Sequence, residues 1–385
     1  MKKVLLLGAS GSIGTQTLDI LKGDRSRFSL VAFSVGRQIQ KIPAILSSFP
    51  SVRFVCVQEE KDRAPLEKEY PSVQFFCGDK GLLQIIEESN ADVVVNALVG
   101  FVGLFPSLRA LELGKTLCLA NKESLVTGGS FVKEALMRFG GKLFPIDSEH
   151  VALAKCLSKV KRDDVEELIL TGSGGALRSL PVSELDKVTP EDALKHPTWQ
   201  MGKRITIDCA TMMNKGFEVI EAKELFDFPY ERISIVLHDE SEVHSLIRLK
   251  DGSYLADIGK PNMHSCIAYA LYEREIDFSL RSFRSFDELS PLHFHPFDPV
   301  RYPAVPLALE AAKGPLGSAC VLNAADEEAV SLFLQKKVSY PDIVRFVSLA
   351  LKEVSMDVRS PMDLAALDAK ARAFVRELEE KNGLA

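Results

Sequence analysis

The chain has 385 residues, 46% hydrophobic and 26% charged, with a formal net charge of -6. Single cores stop growing near ~250–300 residues, so apolar content on this scale implies two or three packed bodies. The mildly acidic balance excludes the basic footprint of a nucleic-acid binder, and a phosphorylated ligand would have to be held by local groups.

The seven cysteines are Cys56, Cys77, Cys118, Cys156, Cys209, Cys266 and Cys320. They are scattered and lack C-x-x-C spacing, which argues against a disulfide framework or a zinc site and for a reducing compartment. The first strand-like run begins at Val4 and is too short for a signal segment. No apolar stretch approaches ~18 residues, so a cytoplasmic protein without a membrane span is expected.

In chain order, short apolar runs at 4–7, 30–35, 53–57, 74–77, 93–97 and 116–120 predict strands. Their near-continuous apolarity fits strands buried on both faces of a parallel sheet. Helical patterns at 15–22, 81–89 and 105–113 lie between them, and the βαβ rhythm predicts a doubly wound α/β domain over 1–147. The stretch 148–280 is less regular and reads as an α+β catalytic domain. It holds the glycine turn 171–175, and then 180–203, with three prolines and the only Trp. That segment contains a good helix start at Thr189-Pro190, and after it come a helix over 212–225 and strands at 233–237, 245–249 and 254–258. Residues 281–305 read as a linker, and 306–385 as a helical domain. Its last helix opens at Ser360-Pro361, carries a stripe of Leu364, Leu367, Ala371, Phe374 and Leu378, and is expected to stop at Gly383.

Gly8, Gly11 and Gly14 stand between the first strand and the first helix, in G-x-x-G-x-x-G spacing. Glycines there let backbone N–H groups approach a pyrophosphate, which a helix N-terminus stabilises. This makes the first domain a Rossmann-type dinucleotide-binding domain. An NAD site places a carboxylate about 20 residues further on. Here the second strand ends Ser34-Val35-Gly36-Arg37-Gln38, with no carboxylate and with an Arg fork suited to a 2′-phosphate. NADP is therefore favoured over NAD. Otherwise Arg37 is a solvated loop cation.

Asp147-Ser148-Glu149 follows the apolar run 142–146. In an extended chain both carboxylates point to one side and would repel unless a cation sits between them. With no Cys/His cluster, an oxygen-ligated Mg²⁺ or Mn²⁺ is the sensible guest, with Co²⁺ as a further candidate. On the 212–225 helix, Met213, Phe217 and Ile220 form one stripe, and Asn214, Lys215 and Glu218 cluster opposite. That sector could bind a phosphorylated polyol and give a third metal ligand; otherwise it is the solvated face of a surface helix.

Taken together, ten ordered segments resemble the 1-deoxy-D-xylulose 5-phosphate reductoisomerase family. They are GASGSIG (8–14), NALVG (96–100), ANKESLVTGG (120–129), PIDSEH (145–150), TGSGG (171–175), HPTWQMG (196–202), ATMMNKGFEVIEA (210–222), DGS (251–253), GKPNM (259–263) and LNAADE (322–327). The resemblance implies NADPH at Ser10, Gly11, Ser12, Ile13, Gly36, Arg37, Gln38, Asn121, Glu123 and Gly202. It implies substrate at Lys122, Ser148, Ser173, His196, Asn214 and Lys215, a divalent metal at Asp147, Glu149 and Glu218, and a homodimer. The family's usual Asp-Ser-Ala-Thr at 208–211 is Asp208-Cys209-Ala210-Thr211 here, and a thiol donates more weakly than a hydroxyl. The first glycine loop also has Ala9-Ser10 where Ser-Thr is common. His196 and Trp199 lie in the turn-rich 180–203 segment, which reads as a flap over substrate.

The expected reaction is metal-assisted rearrangement and NADPH reduction of 1-deoxy-D-xylulose 5-phosphate to 2-C-methyl-D-erythritol 4-phosphate, a step toward isoprenoid precursors by the non-mevalonate route. Two rivals stay open on the residues alone. One is a metal-free NADP-linked semialdehyde dehydrogenase using Cys209. The other is a non-catalytic NADP sensor.

Overall fold

The computed structural model describes residues 1–199, 201–275 and 285–382, which form two compact units. The first comprises Met1–Ser124, Ser130–Asp147 and Asn262–Arg281; the second comprises Leu125–Gly129, Ser148–Pro261 and Ser282–Ala385. The expected helix stop at Gly383 and the first four residues of the expected linker lie outside the described residues.

The first unit is built on seven parallel strands: β1 (Lys2–Leu7), β2 (Phe28–Gly36), β3 (Phe54–Val57), β4 (Gln74–Cys77), β5 (Val93–Asn96), β6 (Thr116–Leu119) and β7 (Lys142–Pro145). Their order is β4-β3-β2-β1-β5-β6-β7. Val4, Leu5, Leu6 and Leu7 are wholly buried, as a strand covered on both faces must be. Chain order reverses between β1 and β5, and at such a switch point ligands bind beyond the carboxyl ends of the strands. Three helices that lie among the strands, Ile42–Ser48, Glu60–Glu69 and Glu123–Phe139, are not among the helical patterns named from the sequence, and neither is Met263–Leu271. Pro65 inside the second and the kink at Gly128 in the third blur their periodicity. The Met263–Leu271 helix, capped by the Asn262 side chain, returns to this unit and packs Ile267, Ala270 and Leu271 into its core.

The second unit holds a mixed sheet ordered β11-β10-β8-β9-β12. Its strands are β8 (Val165–Gly172), β9 (Ile233–His238), β10 (Val243–Leu249), β11 (Tyr254–Ile258) and β12 (Phe294–Pro296). Only β8 and β9 pair in parallel. β12 falls inside the stretch read as a linker. Its three residues are too few for a pattern to show, yet Phe294 pairs with His238 at the sheet edge. Helices Ala304–Lys313, Ser318–Leu334, Tyr340–Glu353 and Pro361–Asn382 follow, matching the helical end expected. In the last, Leu364, Leu367 and Ala371 are buried as foreseen. Val375 takes the next core position, and Phe374 is only half-buried.

Two local expectations need correction. Ser148 opens the Ser148–Leu157 helix, so strand alternation does not govern Asp147 and Glu149. The Met213–Phe226 helix is not two-faced, because Met213 through Ala222 are all buried. A helix covered all round belongs to a core, so Asn214, Lys215 and Glu218 are interior groups rather than a solvated face.

Candidate active site

The glycine loop after β1 is shaped by steric necessity. Gly8 has φ +82°, and a Cβ there would lie 2.6 Å from the Ala97 carbonyl oxygen. A Cβ on Gly14 would meet the Gly8 oxygen at 2.2 Å, whereas Gly11 has nothing nearer than 3.5 Å. The loop is tied to the end of β2: Ala9 N donates to the Ser34 carbonyl (2.7 Å) and Gly8 N to Ser34 Oγ (2.8 Å). Ser10 Oγ donates to the Val35 carbonyl at 3.1 Å. Ser12 and Ile13 then open the Ser12–Gly23 helix, whose first turn carries no acidic residue to compete for an anion.

At the end of β2, Gly36 takes φ +57° and Arg37 is 79% exposed in its side chain. Arg37 Nε pairs with Glu59 Oε1 at 2.8 Å, and Gln38 closes the turn through its N–H to Val35 O. Lys41 Nζ donates to the Ser10 carbonyl at 2.9 Å, a cation on the loop that sequence reasoning passed over. Asn121 and Glu123 are spent on the neighbouring 98–100 turn. Asn121 Nδ2 donates to the carbonyls of Leu98 (3.1 Å) and Gly100 (2.9 Å), and Glu123 Oε1 accepts from Gly100 N (3.0 Å). These two side chains therefore fix the form of that turn. Lys122 Nζ ion-pairs with Asp147 Oδ2 at 2.6 Å, both side chains 10% exposed or less.

In the second unit Lys215 joins two acids. Its Nζ lies 3.2 Å from Glu149 Oε1 and also pairs with Glu218 Oε2. One carboxylate oxygen from each acid lies within 4.8 Å of the other's. Ser148 Oγ donates to Glu149 Oε2 (2.5 Å), and Asn214 Nδ2 donates to Glu218. Two carboxylates this close repel unless a cation stands between them, and the ammonium does so here. The donors are all oxygen and suit a hard divalent ion. Met212, at φ +62°, reverses the chain between the Lys203–Thr211 helix and the Met213–Phe226 helix, and so delivers Asn214 and Lys215 to this spot.

The glycine turn at the end of β8 adjoins the same groups. A Cβ on Gly172 would sit 3.2 Å from Lys215 Cε, and one on Gly175 would sit 2.5 Å from the Cys209 carbonyl oxygen. Ser173 Oγ is 3.1 Å from His196 Nε2 and accepts from Gly175 N (3.2 Å). The other ring nitrogen, Nδ1, accepts from the backbone N–H groups of Thr198 (3.2 Å) and Trp199 (2.9 Å). Nδ1 is thus unprotonated, and the proton sits on Nε2, which donates to Ser173. The Ser173 hydroxyl hydrogen is left to point at a ligand. Burial, with the Arg178 guanidinium second, holds His196 below its ordinary value and keeps it neutral. Trp199 is half-buried, its ring 6.4 Å from that of His244. Gly202 caps the Lys203–Thr211 helix, where Arg204 meets Asp208, Asn323, Asp326 and Glu327 in a buried ionic cluster that the sequence did not announce.

Three family models match the chain. They describe 1-deoxy-D-xylulose 5-phosphate reductoisomerase over residues 4–129, its C-terminal domain over 143–226, and a DXP reductoisomerase C-terminal domain over 258–374. The chain is 45% identical over 382 residues to the 1-deoxy-D-xylulose 5-phosphate reductoisomerase of Geobacillus sp. (strain WCH70), covering 98% of this chain and 100% of the relative. It is 46% identical to that of Geobacillus kaustophilus (strain HTA426), with the same coverage. Among solved structures, the Zymomonas mobilis reductoisomerase in complex with NADPH superposes with a TM-score of 0.90 at 35% identity, over 98% of this chain and 99% of that one. A DOX-P reductoisomerase in complex with NADPH, fosmidomycin and magnesium gives 0.93 at 33% identity, over 99% and 98%.

Proposed function

This chain belongs to the 1-deoxy-D-xylulose 5-phosphate reductoisomerase family, and from that premise we propose how its parts perform the family reaction. It converts 1-deoxy-D-xylulose 5-phosphate to 2-C-methyl-D-erythritol 4-phosphate with NADPH and a divalent metal, in non-mevalonate isoprenoid precursor synthesis. The observation that carries the assignment is Lys215 held between Glu149 and Glu218, beside a glycine turn whose Ser173 hydroxyl is freed by His196.

The backbone at Ser10, Gly11, Ser12 and Ile13 receives the NADPH pyrophosphate, and Gly36, Arg37 and Gln38 frame the adenosine ribose and its 2′-phosphate. Asn121, Glu123 and Gly202 complete the cofactor-binding set. Asp147, Glu149 and Glu218 hold Mg²⁺, Mn²⁺ or Co²⁺. Asp147 and Glu149 flank Ser148 in the chain, and their oxygens suit a hard ion. When bound, that ion polarises the substrate oxygens as a Lewis acid. Lys122 and Lys215 hold the carboxylates ready by pairing with them. Ser173, Cys209, Asn214 and Lys215 take the substrate phosphate, His196 orients the Ser173 hydroxyl toward it, Ser148 orients the sugar oxygens, and Trp199 covers them on a flap over 180–203.

We take 1–147 as the NADPH-binding domain, to whose core the Met263–Leu271 helix returns, the rest of 148–280 as the catalytic domain, 281–305 as a linker that lends β12 to its sheet, and 306–385 as the helical domain. We assign the protein to the cytoplasm as a homodimer. β11 stands at a sheet edge with Tyr254 and Ile258 exposed, the kind of edge a second copy covers. No helix of the described residues is long and apolar enough to cross a membrane. NADPH oxidation with 1-deoxy-D-xylulose 5-phosphate, with Mg²⁺ and with EDTA, tests the reading. Turnover should vanish with EDTA and return with Mg²⁺. Absence of turnover with Mg²⁺ present would sink it, and turnover that survives chelation would favour the metal-free dehydrogenase.

A further inference from the structure

We propose that Glu59 sets how strongly this chain prefers NADPH over NADH, by placing a carboxylate against the cation that meets the 2′-phosphate. The inference rests on the reading of Arg37 given above. Glu59 stands two residues after β3 and caps the Glu60–Glu69 helix with extended backbone (φ -105°, ψ 127°), while Gln58 N donates to Gly36 O at 3.1 Å. The turn that carries Arg37 and the turn that carries Glu59 are therefore fastened together. Glu59 Oε1 takes the Nε edge of Arg37 at 2.8 Å, and among the described residues the terminal nitrogens of Arg37 make no hydrogen bond. That edge is a fork for phosphate.

A 2′-phosphate arriving there meets one guanidinium and one carboxylate together. The carboxylate cancels part of the attraction felt by a dianion, and does nothing comparable to the neutral 2′-hydroxyl of NADH. Both side chains reach solvent, Arg37 at 79% and Glu59 at 36%, so the effect is modest and sensitive to salt. Glu59 thereby lowers the preference for NADPH. In Glu59→Gln the amide oxygen still accepts from Arg37 Nε, so the fork keeps its orientation and only the charge goes.

The test is calorimetric binding of NADPH and NADH to the full-length wild type, Glu59→Gln and Arg37→Ala, at low and at high salt. In Glu59→Gln the Kd for NADPH should fall about three-fold at low salt, with the NADH value little moved, and the gain should fade at about 0.5 M salt as screening shortens. Arg37→Ala should abolish most of the preference. If Arg37→Ala leaves the NADPH/NADH ratio unchanged, the reading of Arg37 fails and this inference with it. If Arg37→Ala collapses the ratio while Glu59→Gln leaves it unchanged or lowers it, the reading of Arg37 stands and Glu59 is only an orienting partner. A gain that persists at high salt would also overturn the charge argument.

Discussion

The glycine loop of the first unit and the lysine-centred acids of the second are built from different materials. At the loop, backbone carries the form: Gly8 and Gly14 are there because a Cβ would strike carbonyl oxygens at 2.6 and 2.2 Å. Around Lys215, form comes from charge: Glu218 and Asn214 of the same buried helix and Glu149 of the Ser148–Leu157 helix converge through ion pairs and hydrogen bonds. The first site should therefore fail by steric conflict and the second by electrostatic change at constant shape. At the first, Gly8 and Gly14 cannot be exchanged whatever side chains stand around them, and the second depends on its charges being kept.

The sharpest way to break the comparison is Glu218→Gln, which keeps size and removes charge. Turnover should drop about 10³-fold, the scale lost with one strong electrostatic contact in a closed site. NADPH affinity should hold. Steady-state kinetics with a Mg²⁺ titration, beside NADPH binding, reads both. A loss below ten-fold would show that Glu218 is no ligand and that Lys215 binds it for stability alone.

The loop makes the opposite prediction, with two glycines of unequal need. Gly14→Ala forces a Cβ onto backbone and should cost about 1–3 kcal/mol, the usual range for overpacking. NADPH binding should weaken at least ten-fold, since each ~1.4 kcal/mol lost at the loop is a factor of ten. Gly11→Ala has room within the protein and φ -79°, so its folding stability should stay within about 0.5 kcal/mol of wild type. Unfolding midpoints and calorimetric NADPH titrations check the pair. Equal effects would mean that the loop tolerates shape change and is held by something else.

The same contrast explains what could be read in advance. The parallel sheet was legible because Val4 to Leu7, Val93 to Val95 and their partners are apolar without interruption, and burial on both faces demands that. The glycine loop was legible because only glycine meets the steric condition. Asp147, Glu149 and Glu218 were legible as residue types but misplaced as geometry. Alternation failed at Ser148, where a helix begins, and the two-faced helix failed at Asn214 and Lys215, which are interior. Charged residues in a sequence look solvated; nothing local says that Lys215 will be 5% exposed with two acids around it. The Arg204 cluster was invisible for a related reason, since Arg204 and Asp326 are 122 positions apart and meet only in the fold.

A smaller effect follows from His196. Its neutral ring caps the turn at Thr198 and Trp199 through Nδ1, and burial holds its pKa below 6.5 in the folded protein. The folded state then binds fewer protons than the unfolded one as pH falls. The stability this histidine lends is full above pH 6.5 and is lost as pH falls through the depressed folded value. Protonating Nδ1 would set a donor against two donors and free the turn. The KM for 1-deoxy-D-xylulose 5-phosphate should therefore rise several-fold as pH falls below 6.5 and through the depressed value of His196, with kcat changing less. In His196→Asn the side-chain oxygen can still cap both N–H groups, and this pH dependence should disappear. A profile of the same slope in the variant would assign the titration to another group.

Cys209→Ser should give a small change and bears on one of the two places where the chain departs from the pattern named above. The Cys209 backbone is pressed against Gly175, so the substitution exchanges sulfur for oxygen without moving the helix end. A hydroxyl donates more strongly than a thiol, and one improved hydrogen bond of roughly 0.5–1 kcal/mol should lower the substrate KM about three-fold. Because Cys209 is partly accessible, the variant also removes a thiol from the site. If KM does not move, the phosphate is carried by Ser173, Asn214 and Lys215 alone. The second site would then owe its phosphate affinity to Ser173 and the lysine-centred cluster rather than to a donor at position 209.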